Sequence, residues 1–181
     1  MEHIEYEERV MISKDDYINV IDDVKKEGKP LICSLIENVY LDNQESFIYK
    51  NGRMLRIRTI NNKEVELTLK SRNEDGSTKE INETLESHPI IDKELNNRFD
   101  DYHPIAKLVI ERIEVQYDDY LLVIDKNEYH GITDYDIEIE ANSQGYAIDL
   151  IKKYCQKYNL KYDENYQVKS HRAIKRAMEI K

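Results

Sequence analysis

Several segments of the chain alternate apolar and charged residues with a period of two. In the first of them, residues 4–10, the charged residues Glu5, Glu7 and Arg9 stand at every second position. Later segments repeat the pattern at Arg56 and Arg58, at Glu66, Thr68 and Lys70, and at Asp134, Asp136, Glu138 and Glu140. Because successive side chains of a strand point to opposite faces, each segment would form a strand with one apolar and one charged face.

The alternation is compatible with two kinds of sheet. A half-buried antiparallel sheet would turn its charged face to water, whereas a closed barrel can turn that face into an enclosed lumen. Acids group at the first and last of these segments, and bases group between them. This grouping favours the barrel, although the residues alone leave both arrangements open.

The remaining periodicity predicts a mixed order of strands and helices. Helices are predicted over residues 14–27, with Ser13 as the cap, over 89–99, over a long segment from Asn142 or Ser143 to Tyr158, and over a short final segment. Strands are predicted over 33–41, 46–50, 55–60, 63–70, 79–85, 106–117, 120–126 and 135–141. Turns fit Asn61-Asn62 and His130-Gly131, and a loop fits 73–77. No linker or repeat divides the chain, so one domain over residues 1–181 is expected.

Composition narrows the functional classes. The chain has 181 residues, enough for one core, and a formal net charge of -10, which argues against nonspecific binding to nucleic acid. The sequence shows no membrane-spanning apolar run and no signal-peptide pattern, so we expect a cytoplasmic protein without a membrane partner. Cys33 and Cys155 are isolated and are expected to be free thiols. The five histidines lack the spacing of a zinc site.

Seven short motifs, in order along the chain, resemble the CYTH superfamily, the triphosphate tunnel metalloenzymes. The family's E-x-E-x-K motif corresponds to residues 5–9, with Arg9 in the place of the lysine. The other six segments are Leu55–Arg58 after the Asn51-Gly52 turn, Glu66–Lys70, Ile110–Arg112, Ile124–Asp125 before the His130-Gly131 turn, Glu138–Glu140 and Lys169–Arg172. The small single-domain bacterial form is the most similar. The resemblance implies an α+β fold, with an antiparallel, eight-stranded closed β-barrel as the triphosphate tunnel and helices packed outside.

The resemblance also implies the chemistry of the lumen. A triphosphate in a water-poor cavity needs several cations around it, and the residues expected to bind it are Arg9, Arg56, Arg58, Lys70, Arg112, Lys169 and Arg172. Carboxylates beside phosphate require metal ions between them, and oxygen ligands favour Mg²⁺ or Mn²⁺ over zinc. The expected metal ligands are Glu5, Glu7, Glu138, Glu140 and Asp125, with Glu66, Glu83 and Glu114 as further tunnel acids. Glu5, Glu7 and Arg9 are the expected catalytic residues.

The preferred activity implied by the resemblance is metal-dependent hydrolysis of inorganic triphosphate. The same lumen would also suit an organic triphosphate, as in class IV adenylate cyclases and thiamine triphosphatases. A third alternative is a regulatory module that binds a polyphosphate or a nucleotide without cleaving it. The sequence has no Walker A, G-x-G-x-x-G or G-x-S-x-G motif, which argues against the usual nucleotide folds and a serine nucleophile. A homodimer is left open as the state of assembly.

Overall fold

Eight antiparallel strands form one strongly curled sheet, and four helices accompany it among the described residues. The computed structural model describes residues 2–73, 77–86, 102–163 and 166–180, and of residues 2–5 only the backbone. The strands are β1 (Glu2–Ile12), β2 (Ile32–Asp42), β3 (Arg53–Ile60), β4 (Glu64–Arg72), β5 (Thr78–Leu85), β6 (His103–Gln116), β7 (Tyr120–Tyr129) and β8 (Ile132–Ala141). The helices are α1 (Lys14–Lys26), α2 (Phe47–Lys50), α3 (Gln144–Tyr158) and α4 (Lys169–Glu179). The architecture is α+β, as predicted.

The strand pairings run in a ring. Their order is β1-β5-β4-β3-β2-β6-β7-β8, and β8 pairs in turn with β1. Strand β1 makes its two pairings with successive stretches, residues 2–5 with β5 and residues 6–12 with β8. The β1–β5 ladder is therefore short, and the sheet has one concave face around a lumen and one convex face.

The convex face carries the apolar side chains of the alternating segments. Helices α1 and α3 pack there, with Val20 and Val24 of α1 and Ile151 of α3 buried against Ile124 and Ile137. A second cluster of buried apolar side chains on the convex face comes from β2, β3 and β4 themselves. It contains Val39, Leu41, Leu55, Ile57, Val65 and Leu67. Burial of apolar side chains on the convex side leaves the charged side chains on the concave side, which confirms the barrel-like arrangement over the half-buried sheet.

Helix α4 packs on the concave side instead. Its residues Ala173 and Ile174 are buried against the inward-facing Tyr40, Leu108 and Ile110. One end of the lumen is thus filled by apolar side chains and the helix that they hold. The first turn of α4 consequently projects into the charged part of the lumen. Within the described part of the chain, no helix combines the length and the apolar character that a membrane span requires.

The local signals for helix α1 and for the tight turns are confirmed. Ser13 and Asp16 form a capping box at the start of α1. Asn61 and Asn62 both have positive φ in the three-residue connection between β3 and β4, and His130 and Gly131 both have positive φ in the two-residue turn between β7 and β8.

One predicted strand is wrong, and one predicted helix lies outside the described residues. Residues 46–50, predicted to be extended, contain the short helix α2. The carboxylate of Asp42 accepts hydrogen bonds from the backbone N–H groups of Ile48 and Tyr49, each at 2.9 Å, and Asn43 accepts one from Phe47. These bonds satisfy the amides of a first helical turn, which the apolar pattern could not reveal. The helix predicted over 89–99 falls in the part of the chain that is not described.

Candidate functional site

A cavity of about 470 Å³ lies inside the curled sheet. This volume is within the range of sites that enclose small molecules. The strands position its wall because every second residue of a strand faces the lumen. The charged residues that line it are Glu7, Glu8, Arg9, Arg53, Arg56, Arg58, Lys70, Arg72, Glu80, Arg112, Glu114, Glu138, Glu140 and Lys169. The cavity is therefore suited to a small, highly charged ligand.

Three carboxylates form one side of the cavity. Glu7 and Glu140 are cross-strand partners in the β1–β8 pairing, and Glu138 is the partner of Arg9. Carboxylate oxygens of Glu7, Glu138 and Glu140 lie within 4.8 Å of one another. This set brings together three of the five metal ligands that the sequence predicts, and it offers the all-oxygen donors that Mg²⁺ and Mn²⁺ prefer.

Arg9 joins two of these carboxylates. Its Nη2 lies 2.5 Å from Oε1 of Glu7, and its Nε lies 3.2 Å from Oε1 of Glu138. Burial opposes ionisation of both acids, yet Arg9 and the neighbouring lysines hold the pKa of Glu7 and of Glu138 below the ordinary value. The acids therefore stay ionised at neutral pH, as metal ligands must be. Oε1 of Glu138 is buried and has no hydrogen bond among the described residues, although Arg9 Nε and Lys169 Nζ each lie 3.2 Å from it.

Bases from β3 and β4 form another side of the cavity. Lys70 Nζ lies 2.8 Å from Glu80 and 3.3 Å from Glu7, and Arg56 Nη2 lies 3.6 Å from Glu80. Although burial opposes ionisation of Glu80, Arg56 and Lys70 lower its pKa to about 2. Glu80 therefore neutralises part of the charge of both bases.

Arg58 differs from its neighbours. Its Nε donates to Oδ1 of Asn38 at 3.2 Å, and it makes no ion pair within the described part of the chain. Burial and the nearby charges of Arg56 and Arg112 lower the pKa of Arg58 to about 9, an effect that Glu80 and Tyr40 only partly oppose. Its cross-strand neighbour on β4 is Glu66, but no ion pair joins the two side chains in the described structure. Arg58 is thus a cation whose charge the protein leaves largely uncompensated.

A second ionic network lies deeper, behind the carboxylate side. Arg112 donates through Nε and Nη2 to both oxygens of Asp125, at 2.9 and 2.8 Å, and lies 3.3 Å from Glu138. Lys169, from the first turn of α4, pairs with Asp125 and also lies 3.2 Å from Glu138. Asp125, predicted as a metal ligand, is fully buried and holds these two bases in place. Arg112 and Lys169 line the cavity as predicted.

Arg172 is placed outside the cavity wall, in the anchorage of α4. Its guanidinium donates to Asp134 at 2.8 and 2.9 Å, to Asp136 at 2.8 Å, and to the hydroxyl of Tyr166. The hydroxyl of Tyr166 donates in turn to Asp136 at 2.8 Å. The predicted contact of Arg172 with substrate stays a prediction, whereas its role in holding α4 is evident.

The other predicted acids are distributed unevenly. Glu114 lines the cavity and lies 3.7 Å from Arg112. Glu66 is half-buried on the concave parity of β4, next to Arg58 rather than on the cavity wall. Glu83 is exposed, and its parity in β5 is opposite to that of Glu80, so it lies on the convex face. The side chain of Glu5 lies outside the described part of the chain.

Sequence reasoning missed Glu80, Asn38 and Tyr166. For Glu80 a signal was present, because a loop over residues 73–77 is centred on residue 75 and places Glu80 opposite Lys70, as the structure has it. Asn38 lies in β2, where polar and apolar residues do not alternate regularly, and Tyr166 lies between helices α3 and α4. Neither carries a pattern from which contacts across the lumen could be predicted.

The fold has clear counterparts among solved structures, whereas no curated protein sequence matches the chain. A candidate adenylate cyclase from Bacillus halodurans is 24% identical, with a TM-score of 0.78, over 94% of this chain and 97% of the other. A candidate adenylyl cyclase from Hippeastrum, described as having a dominant triphosphatase activity, is 19% identical, with a TM-score of 0.70, over 94% and 93%. A protein from Pyrococcus horikoshii OT3 is 18% identical, with a TM-score of 0.65, over 87% and 91%. At these identities the likeness shows a shared fold. The model of the CYTH domain matches residues 3–170, and the chain therefore belongs to the CYTH domain family.

Proposed function

We propose that the chain is a hydrolase that uses a divalent metal ion to cleave inorganic triphosphate into pyrophosphate and phosphate. The observation that carries this proposal is a cluster of three carboxylates in the same enclosed cavity as a group of arginines and a lysine. A polyphosphate satisfies the bases but repels the acids, so a cation is required between the ligand and the acids. A metal-bound polyphosphate is a ligand class that satisfies both groups.

The bases bind and orient the phosphate groups in this proposal. Arg56 and Arg58 each offer a planar fork of N–H donors that can contact two phosphate oxygens at once. Lys70 adds a compact positive charge between Glu7 and Glu80. Arg112 and Lys169 complete the positive part of the wall from the side of β6 and α4.

The acids hold Mg²⁺ or Mn²⁺ through Glu7, Glu138 and Glu140, with Glu5 and Asp125 as further proposed ligands. A bound ion of this kind neutralises phosphate charge and lowers the pKa of a coordinated water. Arg9 keeps Glu7 and Glu138 apart in a fixed geometry and maintains both as carboxylates. The residues thereby provide an ordered set of oxygen ligands before any metal arrives.

Cleavage breaks the bond between a terminal phosphorus and its bridging oxygen, and the oxygen of water forms the new bond to that phosphorus. Transfer of a phosphoryl group depends mainly on positioning and on stabilisation of the negative charge that moves to the leaving oxygen. Arg56 supplies that stabilisation from a fixed position in the cavity wall. No nucleophilic side chain is needed.

The test is phosphate release from inorganic triphosphate, ATP and thiamine triphosphate, each with Mg²⁺, with Mn²⁺ and with EDTA. We expect metal-dependent release that is fastest from inorganic triphosphate and is lost in Glu7→Gln and in Glu138→Gln. Glu111→Gln is the matched control, because Glu111 is exposed on β6 and pairs only with Lys126 in the described structure.

Other outcomes would replace the proposal. Pyrophosphate and a cyclic nucleotide as products of ATP would identify a cyclase, and preferred cleavage of thiamine triphosphate would identify an organic triphosphatase. Metal-dependent binding of triphosphate without any cleavage would identify a binding module. Unchanged turnover in Glu7→Gln and Glu138→Gln would contradict the assignment of the carboxylate cluster.

A further inference from the structure

The bases of the cavity differ in what neutralises them. Arg9, Arg56, Lys70, Arg112 and Lys169 each lie at 3.6 Å or less from a carboxylate. Arg58 has an amide instead, because its Nε donates to Oδ1 of Asn38. Among the buried and half-buried bases of the described cavity wall, Arg58 is therefore the one whose hydrogen-bond partner is neutral.

Asn38 occupies an unusual place for an amide. It lies on the concave parity of β2, is 0% exposed, and has Leu108 of β6 and Arg58 of β3 as its two cross-strand neighbours. Its Nδ2 has no hydrogen-bond partner within the described structure. A buried amide with an unsatisfied N–H group lowers the stability of a fold, so the position gains nothing in stability from being asparagine.

The contact instead fixes Arg58. By accepting from Nε, Asn38 holds one edge of the guanidinium and leaves the two terminal nitrogens for a ligand in the cavity that Arg58 lines. A carboxylate at residue 38 would hold the same edge, but it would also cancel the charge that attracts an anion. The neutral amide orients the side chain without that cost.

We propose that Asn38 is a positioning residue that aims Arg58 at the bound polyphosphate while leaving its charge uncompensated, so that Arg58 is the principal anion-binding charge of the cavity. This inference rests on the proposed function for the identity of the anion. It makes a distinct claim, because it concerns binding and is testable without metal or turnover.

The experiment measures the affinity of inorganic triphosphate in EDTA by calorimetry for the wild type, Asn38→Asp and Asn38→Leu. Asn38→Asp keeps the hydrogen-bond acceptor but adds a charge beside Arg58, and we expect affinity to fall about tenfold or more. Asn38→Leu removes the acceptor but keeps the charge of Arg58, and we expect a smaller loss. A purely structural role predicts the opposite order, because a charged acceptor makes the stronger hydrogen bond.

Asn61→Asp is the matched control. It makes the same change in net charge at the turn between β3 and β4, where Asn61 accepts a hydrogen bond from the backbone N–H of Leu35. We expect its affinity for triphosphate to stay within about twofold of the wild type. A loss in Asn61→Asp equal to that in Asn38→Asp would overturn the inference, since net charge alone would explain it.

A double-mutant cycle tests the inference independently of whether Asn38→Asp folds. In an Arg58→Met background, Asn38→Leu should cause no further loss of affinity, because the group that Asn38 positions is absent. Equal losses in both backgrounds would overturn the inference. If the wild type binds triphosphate but does not cleave it with Mg²⁺ or Mn²⁺, the hydrolase is refuted while the cycle still decides the role of Asn38.

For an active enzyme the kinetics add a further readout. Asn38→Asp should raise KM for triphosphate and change kcat little, because a charge that binds the whole ligand contributes equally in the ground and transition states. A fall in kcat at unchanged KM would contradict the assignment of Arg58 as a binding charge positioned by Asn38.

Discussion

Replacing Asp125 by asparagine tests the deeper ionic network most directly. Asp125 is fully buried, accepts two hydrogen bonds from Arg112 at 2.9 and 2.8 Å, and also pairs with Lys169 of α4. The substitution keeps the shape of the side chain and removes its charge. Two buried cations then lose their principal counter-charge.

The magnitude follows from the distances. At 2.8 Å an ion pair is worth about 6 kcal/mol at an effective dielectric constant of about 20, and desolvation offsets part of this. Glu138 remains 3.3 Å from Arg112 and 3.2 Å from Lys169, so both bases keep one acid. Breaking one partner of a buried pair typically costs about 3 to 5 kcal/mol, and we expect about 3 kcal/mol here.

The assay is equilibrium unfolding in urea at neutral pH with EDTA, which excludes any stabilisation by bound metal. Asp149→Asn, at an exposed position of α3, is the control and should change the free energy of unfolding by less than about 0.5 kcal/mol. A cost below about 1 kcal/mol for Asp125→Asn would refute the reasoning, since the buried network would then contribute little to holding α4.

Three further predictions concern charge in the lumen. The carboxylate of Glu80, with its pKa lowered to about 2, stabilises the fold above its ordinary pKa of 4.5 and loses that effect as pH falls toward 2. The free energy of unfolding, measured from pH 7 to 2, should therefore fall by about 3 kcal/mol more in the wild type than in Glu80→Gln. The same variant should bind triphosphate more tightly than the wild type in EDTA calorimetry, because Arg56 and Lys70 each lose one counter-charge; weaker binding would contradict this. Arg58→Met should weaken the binding of triphosphate in EDTA at neutral pH, because it removes a guanidinium whose hydrogen-bond partner is neutral.

The sequence predicts the fold well where the signal is local. Ser13 with Asp16, the Asn61-Asn62 turn and the period-two segments specify a capped helix, a hairpin and two-faced strands without reference to the rest of the chain. The concave placement of the charges required the family resemblance, because a period-two pattern is the same whichever face is buried.

The misses arise where a residue acts through distant partners. Asp42 accepts hydrogen bonds from backbone amides of α2, and Asn38 of β2 orients Arg58 of the neighbouring strand β3. Neither contact produces a periodic pattern in the sequence. The strength of the Asp125 network likewise depends on α4, which brings Lys169 into the lumen although it lies 44 positions after Asp125 in the sequence. Such contacts depend on tertiary folding and on the shear of the sheet, which residue patterns do not specify.

The interlocked charges of the lumen have an evolutionary consequence. Because Arg112 and Asp125 pair in a buried network, losing either one alone leaves the remaining charge only partly compensated, at a cost of about 3 kcal/mol. Single changes at these positions are therefore expected to destabilise the fold, so a change in the charge of the lumen would require both partners to be exchanged together. Among relatives, we expect each pair to be retained or replaced together, Arg56 with Glu80 and Arg112 with Asp125. Residue 38 should not be acidic, because a carboxylate there would neutralise Arg58.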